Sequence, residues 1–139
     1  MSVILPSLFL GDYNDALSVL KGLTNVTAVL TVAKELPLHL LYPGAQHRVN
    51  YKYIPLEDSP QQDLLFNLQS AIAFIDSAMD AGQKVLVHCA AGVSRSASIV
   101  IAYLMLKHNI TFQQAFTHVQ KRRPIINPNP GFMRQLSAL

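Results

Sequence analysis

Apolar residues in this chain occur in two kinds of segment, short continuous runs and longer stretches in which they recur at helical spacing. A short apolar run bounded by polar residues is typical of a buried strand, and recurrence every three to four positions or so is typical of an amphipathic helix. The strands predicted in this way are Ser7–Leu10, Ala28–Val32, Arg48–Ile54 and Lys84–His88. The predicted helices are Asp12–Leu20, a segment with apolar positions from Leu64 to Met79, Ser96–His108, a segment from Thr111 to Pro124, and a last helix that begins near Asn129.

Local signals support the ends of these helices and suggest how they are arranged. Gly82 stands where a C-terminal cap belongs, Thr111 and Gln114 fit a capping box, and Asn129 is expected to cap the last helix. Ser96–His108 is apolar on nearly every side, so we expect it at the centre of the molecule. Because strands alternate with helices, we predict an α/β fold with a central, mainly parallel sheet of about four to five strands flanked by helices. No linker or repeat divides the sequence, so residues 1–139 are expected to form a single domain.

Composition narrows the class of protein. Half of the residues are hydrophobic and only 14% are charged, which excludes a disordered chain. No apolar run reaches the roughly 18 residues of a membrane-spanning helix, and the N-terminus lacks the basic start and the cleavage site of a signal peptide. Cys89 is the only cysteine, so the chain has no internal disulfide. We therefore expect a soluble protein of a reducing compartment, in the cytoplasm, the nucleus or both, and we favour a monomer.

Charge is distributed unevenly along the chain. The first 80 residues carry all eight carboxylates and four lysines or arginines, a net charge of −4, whereas residues 81–139 carry seven lysines or arginines and no carboxylate. Such asymmetry favours an anionic ligand near the C-terminal half, without choosing between phosphate, nucleic acid and a membrane surface. The alternative is that lysine and arginine collect at helix C-termini. The Lys121–Arg123 segment has the same two interpretations, a nuclear-localisation or nucleic-acid patch and a solvated helix end.

The histidines give no indication of a metal site. They are scattered, and with a single thiol they show no metal-ligand spacing. The five are His39, His47, His88, His108 and His118. We therefore expect no metal, no other cofactor and no nucleic-acid partner.

Candidate chemistry is concentrated after the last predicted strand. That strand delivers His88 and Cys89 to a short loop, and the loop runs directly into the buried helix. Backbone N–H groups between Ala90 and Arg95 can converge there on one anion, with the helix dipole reinforcing them. Positive potential at this point favours the thiolate of Cys89. The guanidinium of Arg95 can grip two phosphate oxygens, and the hydroxyl of Ser96 can donate a hydrogen bond to the sulfur.

Each of these residues also has an ordinary structural interpretation. A lone cysteine after an apolar strand is usually inert core, and a histidine at a strand end is usually satisfied by the backbone. An arginine at the start of a helix is commonly solvated. What favours chemistry is their coincidence, because a cysteine, five residues that include a glycine, and then Arg-Ser lie between a buried strand and a buried helix.

The run HCAAGVSRS, residues 88–96, resembles the His-Cys-x5-Arg-Ser/Thr signature of the cysteine-dependent protein tyrosine phosphatase superfamily. Four further segments resemble its dual-specificity branch. They are SLFLGDYNDA near the start, IPLEDSPQQDL at 54–64, AYLM at 102–105 and PNPGFMRQL at 128–136. The resemblance therefore covers essentially the whole chain, and its signature motif is highly specific.

This resemblance implies a compact phosphatase fold that removes phosphate from phosphotyrosine and from phosphoserine or phosphothreonine without a metal. Position by position, it makes Cys89 the nucleophile, Arg95 the phosphate-binding arginine and Ser96 the hydroxyl that assists departure of the thiolate. His88 would act behind the nucleophile without touching substrate. The phosphate loop would consist of Ala90, Ala91, Gly92, Val93, Ser94 and Arg95.

The general acid is less clear from the residues themselves. Glu57, Asp58 and Asp63 are all candidates for protonating the leaving oxygen. Alternatively, Ser59 caps a helix and the acids are ordinary partners of its dipole. The resemblance implies Asp58. The chain departs from the family at Thr31, where relatives commonly have asparagine, so bracing of the phosphate loop from that strand is an open question.

The principal hypothesis is an atypical dual-specificity protein phosphatase that acts on phosphorylated proteins through a phosphocysteine intermediate. One alternative keeps the loop but changes the substrate to an RNA 5′-phosphate, a phospholipid or a phosphoglycan. The loop side chains of Ala90, Ala91 and Val93 add no cations, which argues against a polyanionic inositol headgroup. The other alternative, from a different class, is a phospho-binding adaptor that does not catalyse.

Overall fold

A computed structural model describes residues 1–44 and 48–139 of the chain, and within them five strands form one sheet. The strands are β1 (Ser2–Leu5), β2 (Leu8–Gly11), β3 (Ala28–Thr31), β4 (Asn50–Tyr53) and β5 (Val85–His88). Their order in the sheet is β1-β2-β5-β3-β4, and only β1 runs antiparallel to its neighbour. The α/β fold and the mainly parallel sheet predicted from the sequence are therefore confirmed.

Strand β5 lies between β2 and β3, and this position sets up the site. All four of its residues are buried, as expected for a parallel strand that is covered on both faces. Its last residue, His88, is in register with Gly11 at the end of β2 and with Thr31 at the end of β3. Three parallel strands therefore end in one row, and the segments that follow them meet at the same edge of the sheet.

Six helices pack around this sheet in the described part of the chain. They are α1 (Tyr13–Leu20), α2 (Leu38–Leu41), α3 (Leu65–Asp80), α4 (Arg95–His108), α5 (Phe112–Arg122) and α6 (Pro130–Ser137). Helix α4 packs on β2 and β5 and also contacts α3, α5 and α6. Its residues from Arg95 to Met105 are all buried, which confirms the central position predicted from its apolar surface. None of these helices combines the length and the hydropathy that crossing a lipid bilayer requires.

The predicted caps are present in the structure. Thr111 and Gln114 form a capping box at the start of α5, and Asn129 accepts the N–H of Phe132 at the start of α6. Gly82 follows α3 with a φ of +79°, a left-handed conformation that glycine adopts most easily. The sequence did not predict β1 or α2. Both span only four residues, and exposed apolar residues such as Val3 and Leu40 hide their pattern.

Candidate active site

Strand β5, a loop and helix α4 follow one another as predicted, with Cys89 at the start of the loop. Cys89 is 2% exposed, and Arg95 begins α4. We refer to Ala90–Arg95 as the phosphate loop, the name that the resemblance implies. The loop lies at the edge of the sheet where β2, β3 and β5 end.

Six consecutive carbonyls, those of residues 89–94, are held by hydrogen-bond donors from outside the loop or from its flanks. Cys89 O accepts from His88 Nδ1 (3.0 Å), Ala90 O from Tyr13 N (3.0 Å), Ala91 O and Gly92 O from Arg123 Nη2 and Nε (3.3 and 2.8 Å), Val93 O from Asn127 N (2.7 Å), and Ser94 O from Ser98 N and Oγ (2.9 and 2.7 Å).

This arrangement fixes the direction of six N–H groups. In a trans peptide the C=O and the next N–H point in opposite directions. Because the six carbonyls point outward to their hydrogen-bond donors, the N–H groups of the phosphate loop point in the opposite direction. Gly92 N–H shows where they point, because it donates to Cys89 Sγ at 3.3 Å. Such a ring of inward N–H groups is a binding site for an oxyanion.

Gly92 allows the loop to turn this closely. Its φ is +67°, and a Cβ built there would lie 2.6 Å from both Gly11 O and Arg123 Nη2. Any side chain at this position would therefore collide with the end of β2 and with the arginine that holds the loop. Both the backbone conformation and the lack of space therefore require glycine at position 92.

Ser96 lies beside the sulfur of Cys89. The distance between Ser96 Oγ and Cys89 Sγ is 3.1 Å, and both side chains are buried. A hydroxyl in this position can donate to a thiolate and stabilise its charge. The structure thus brings together the two residues as the resemblance implies.

His88 is buried behind the loop and its hydrogen bonds identify its tautomer. Nδ1 lies 3.0 Å from Cys89 O, and a carbonyl can only accept, so Nδ1 carries the proton. Nε2 lies 2.6 Å from Thr31 Oγ1 and accepts from that hydroxyl. Burial lowers the pKa of His88 to about 4, so the ring is neutral near pH 7. Thr31 therefore braces the start of the loop through His88, which answers the question that the departure at this position left open.

The side chain of Arg95 is 8% exposed and is held by Glu35. Nη1 and Nη2 donate to the two oxygens of Glu35, both at 2.6 Å, and Nη1 also donates to Leu56 O at 3.1 Å. These hydrogen bonds lower the pKa of Glu35, so the carboxylate is charged near neutral pH. A guanidinium has five N–H groups. The three contacts leave Nε–H and the second Nη2–H, which lie on one edge and can grip two phosphate oxygens.

Sequence reasoning missed Glu35. It follows β3 closely, as Cys89 follows β5, so the only available signal was a carboxylate just beyond the end of a buried strand. That signal is weak because Lys34 and Glu35 also suit an ordinary exposed turn. The pairing depends on how β3 and β5 align, which the sequence does not reveal.

Asp58 lies in the segment after β4, where the structure separates it from its rival carboxylates. Glu57 pairs with Lys34 at 3.0 Å, and Asp63 accepts the N–H of Phe66 at the start of α3. The helix that Ser59 was proposed to cap is not formed, since α3 begins at Leu65. Asp58 is exposed, and it forms part of the wall of two hollows beside the phosphate loop.

These hollows flank the mouth of the site. One, of about 500 Å³, is lined by Lys34, Glu35, Glu57, Asp58 and Arg95. The other, of about 740 Å³, is lined in part by Asp58, Val93, Ser94, Asn129 and Arg134. Asp58 borders both, so its carboxylate shares these hollows with Val93, Ser94 and Arg95 of the phosphate loop.

Asn129 connects Asp58 to the loop, a role that the sequence did not predict. Its Nδ2 donates to Asp58 Oδ1 at 3.0 Å, and its backbone N–H donates to Ser94 Oγ at 2.9 Å. Its Oδ1 accepts the N–H of Phe132 at 2.9 Å, which confirms the predicted cap. One side chain therefore caps α6 and orients the candidate general acid.

No group of three or more histidine, cysteine, aspartate or glutamate residues in the described ranges is arranged to hold a metal ion. His47, one of the five histidines considered from the sequence, lies outside those ranges. The donors that the phosphate loop can offer to a ligand are its N–H groups and the guanidinium of Arg95, which suit an anion.

Comparison with known proteins agrees with this site. The model of the dual specificity phosphatase catalytic domain matches residues 8–139. Dual specificity protein phosphatase 2 of Mus musculus is 46% identical over 138 residues, which are 98% of this chain and 42% of that protein. Serine/threonine/tyrosine-interacting protein B of Xenopus laevis is 40% identical over 140 residues, 98% of this chain and 62% of that protein. The chain thus spans about two-fifths to three-fifths of these relatives.

Solved structures show the same fold. The human tyrosine phosphatase-like serine/threonine/tyrosine-interacting protein superposes with a TM-score of 0.88 and 37% identity, covering 99% of this chain and 93% of that one. DUSP15 superposes with a TM-score of 0.88 and 33% identity, covering 99% and 85%. With residues 8–139 matched and a ring of anion-binding N–H groups around its single cysteine, this chain belongs to the dual specificity phosphatase catalytic domain family.

Proposed function

We propose that residues 1–139 form a catalytic domain that hydrolyses phosphotyrosine and phosphoserine or phosphothreonine in proteins through a phosphocysteine intermediate. The observation that carries this proposal is the set of six held carbonyls, which turns the N–H groups of Ala90–Arg95 to the opposite side, where Gly92 N–H donates to the sulfur of Cys89. A phosphoryl group bound there has its three oxygens among N–H donors and its phosphorus in front of the nucleophile.

The first step transfers the phosphoryl group to Cys89. The thiolate attacks phosphorus, the S–P bond forms, and the P–O bond to the substrate breaks. Arg95 and the loop N–H groups stabilise the charge on the three oxygens, and each such donor contributes roughly 10²–10³ in rate in comparable sites. Asp58 in its acid form gives a proton to the leaving oxygen, an effect typically worth about 10²–10⁴.

The second step releases phosphate. Asp58, now a carboxylate, takes a proton from a water molecule, and the water oxygen attacks phosphorus. The S–P bond breaks and the electron pair returns to Cys89. Ser96 Oγ, 3.1 Å from the sulfur, donates to the departing thiolate and lowers the cost of its release.

Glu35 prepares Arg95 for both steps. Because the carboxylate holds Nη1 and Nη2 from one edge, the planar guanidinium keeps its Nε edge turned in one direction. A lysine at position 95 would supply charge but no fork. Pre-orientation of this kind reduces the reorganisation needed when the transition state forms.

The decisive experiment measures hydrolysis of an aryl phosphate and of phosphotyrosine and phosphothreonine peptides. Cys89→Ser and Arg95→Lys are expected to abolish turnover, and Cys89→Ser should still bind vanadate or phosphopeptide. Asp58→Asn should lose about 10²–10⁴ in kcat, whereas the neighbouring Asp63→Asn serves as the matched control with its activity retained. Full turnover by the Cys89→Ser variant would contradict the proposal.

Measurements on the same unaltered protein also distinguish the two alternative functions, a phosphatase of a non-protein substrate and a phospho-binding adaptor. Turnover of an RNA 5′-phosphate, a phospholipid or a phosphoglycan in preference to phosphopeptides would favour a non-protein substrate. Phosphopeptide binding without turnover by the unaltered chain would favour an adaptor. The loop side chains at positions 90, 91 and 93 are uncharged, which supports a phosphate monoester over a polyanionic headgroup. A catalytic thiolate also requires reducing conditions, which supports a cytoplasmic or nuclear location.

A further inference from the structure

Arg123 is the last residue of the basic segment Lys121–Arg123, whose role the sequence left open. Lys121 and Arg122 are exposed at the end of α5, in agreement with a solvated helix terminus. Arg123 is different, because its side chain is half-buried and turns toward the phosphate loop. It is therefore not part of a free cationic patch.

The guanidinium of Arg123 makes three hydrogen bonds. Nε donates to Gly92 O at 2.8 Å, Nη2 donates to Ala91 O at 3.3 Å, and Nη1 donates to Ser2 Oγ at 3.1 Å. One side chain thus holds two consecutive carbonyls of the loop and ties them to the N-terminal strand. The carbonyls on either side, of Ala90 and Val93, are instead held by backbone N–H groups.

These two carbonyls belong to the peptide units that need external support most. The first unit ends in Gly92 N–H, which donates to Cys89 Sγ, and the second ends in Val93 N–H. Both units flank Gly92, and a glycine has little conformational preference of its own. Without a partner for the carbonyls, either unit can rotate and turn its N–H away from the bound anion.

We propose that Arg123 is a positioning residue for the phosphate loop, fixing the Gly92 and Val93 N–H groups toward the phosphoryl oxygens through the carbonyls of Ala91 and Gly92. Its fork is what the role requires, since two carbonyls on successive residues must be held at once. The proposal deepens the phosphatase function and rests on it. Arg123 itself does not touch the substrate.

The test compares Arg123→Met and Arg123→Lys with the unaltered chain. For each we measure kcat and KM with an aryl phosphate, and the inhibition constant of vanadate, which mimics the transition state. Misplacing donors by about 1 Å costs on the order of 100-fold. Arg123→Met should therefore lose about 100-fold in kcat/KM, and vanadate should bind correspondingly more weakly. Arg123→Lys, which can hold one carbonyl, should show a smaller loss in both constants.

Two matched controls isolate the contacts with the loop. Arg122→Met removes the same charge from the adjacent residue, whose Nη1 bonds its own helix at His118 O. Ser2→Ala removes the third hydrogen bond of Arg123 and leaves both loop carbonyls held. Both variants should keep the kcat/KM and the vanadate constant of the unaltered chain.

A purely structural role for Arg123 gives a different result. Loss of folded protein lowers the apparent kcat but leaves KM and the vanadate constant unchanged, and this outcome would overturn the proposal. If Arg123→Met does not fold, Arg123→Lys and Arg122→Lys are compared on the vanadate constant, and equal values refute it. If the unaltered chain shows no turnover, the phosphatase function fails. Vanadate binding measured by calorimetry then still decides the role of Arg123.

Discussion

Replacing Gly92 with alanine tests how closely the phosphate loop approaches the end of β2 and the side chain of Arg123. Two costs apply at this position. The φ of +67° is unfavourable for alanine, and the added Cβ would lie 2.6 Å from Gly11 O and from Arg123 Nη2. Two other glycines separate these costs. Gly82 has a φ of +79° with nothing within 4 Å, and Gly131 has no positive φ but would place its Cβ 2.0 Å from Pro60 O.

The expected magnitudes follow from this comparison. A left-handed alanine costs about 1–2 kcal/mol, which should be the whole effect of Gly82→Ala. Overpacking costs about 1–3 kcal/mol. Gly131→Ala should lose at least this much unfolding free energy, because the backbone atoms that its Cβ meets cannot move aside as a flexible side chain can. Gly92→Ala combines both terms, so its free energy of unfolding should fall by about 2–5 kcal/mol.

Urea unfolding at equilibrium measures these differences, with the slope of each transition checked for a common unfolded state. Turnover of an aryl phosphate gives a second readout. Gly82→Ala should keep its kcat/KM, whereas Gly92→Ala should lose activity in the fraction that remains folded, because the Gly92 N–H moves away from Cys89 Sγ. A Gly92→Ala variant no less stable than Gly82→Ala would refute the close approach of the loop to β2.

Three further predictions concern residues around the loop. Burial lowers the pKa of His88 from 6.5 to about 4. Between these two pH values, the histidine is therefore protonated in the unfolded chain but neutral in the folded chain. The contribution of His88 to the free energy of unfolding is therefore fully present above pH 6.5 and is lost as the pH falls to 4. Between these two pH values, the free energy of unfolding measured in urea should fall by about 3 kcal/mol more for the unaltered chain than for His88→Asn. Thr31→Val leaves His88 Nε2 unsatisfied and should cost about 1–3 kcal/mol of unfolding free energy, whereas Thr31→Ser should recover most of it; equal stability of the two variants would contradict the bond. Asn129→Ser keeps a good cap but loses the donor to Asp58, so kcat should fall about tenfold on an alkyl phosphate, a part of the general-acid effect. The fall should be smaller on p-nitrophenyl phosphate, and an equal fall on both would exclude a role through Asp58.

The parts of the molecule that sequence reasoning predicted are those encoded locally. The buried strand β5, the apolar helix α4 and the residues between them are contiguous, so their pattern and motif could be read together. The capping box of α5 is also local, because it spans only the four residues from Thr111 to Gln114. The short elements β1 and α2 were missed because their apolar residues are partly exposed and show no period.

The residues that shape the site from a distance were not predictable in the same way. Tyr13 and Asn127 hold loop carbonyls with backbone N–H groups, and a backbone group leaves no signature in the sequence. Glu35 and Arg123 act through side chains, but each is an ordinary charged residue near the end of an element. Their partners become apparent only when the strand order and the path of the chain after α5 are known.

The holders of the six carbonyls also have a consequence for how the site forms during synthesis. His88 and Ser98 flank the loop, but the other hydrogen-bond donors come from the start of α1, from the end of α5 and from the segment before α6, so they emerge from the ribosome at very different times. Strand β5 must likewise pair with β2, which is made much earlier. Contacts between such distant parts of a chain form late in folding. A nascent chain that ends before Arg123 therefore contains the nucleophile but lacks the groups that hold the carbonyls of Ala91, Gly92 and Val93. Phosphatase activity should therefore first appear when folding is complete.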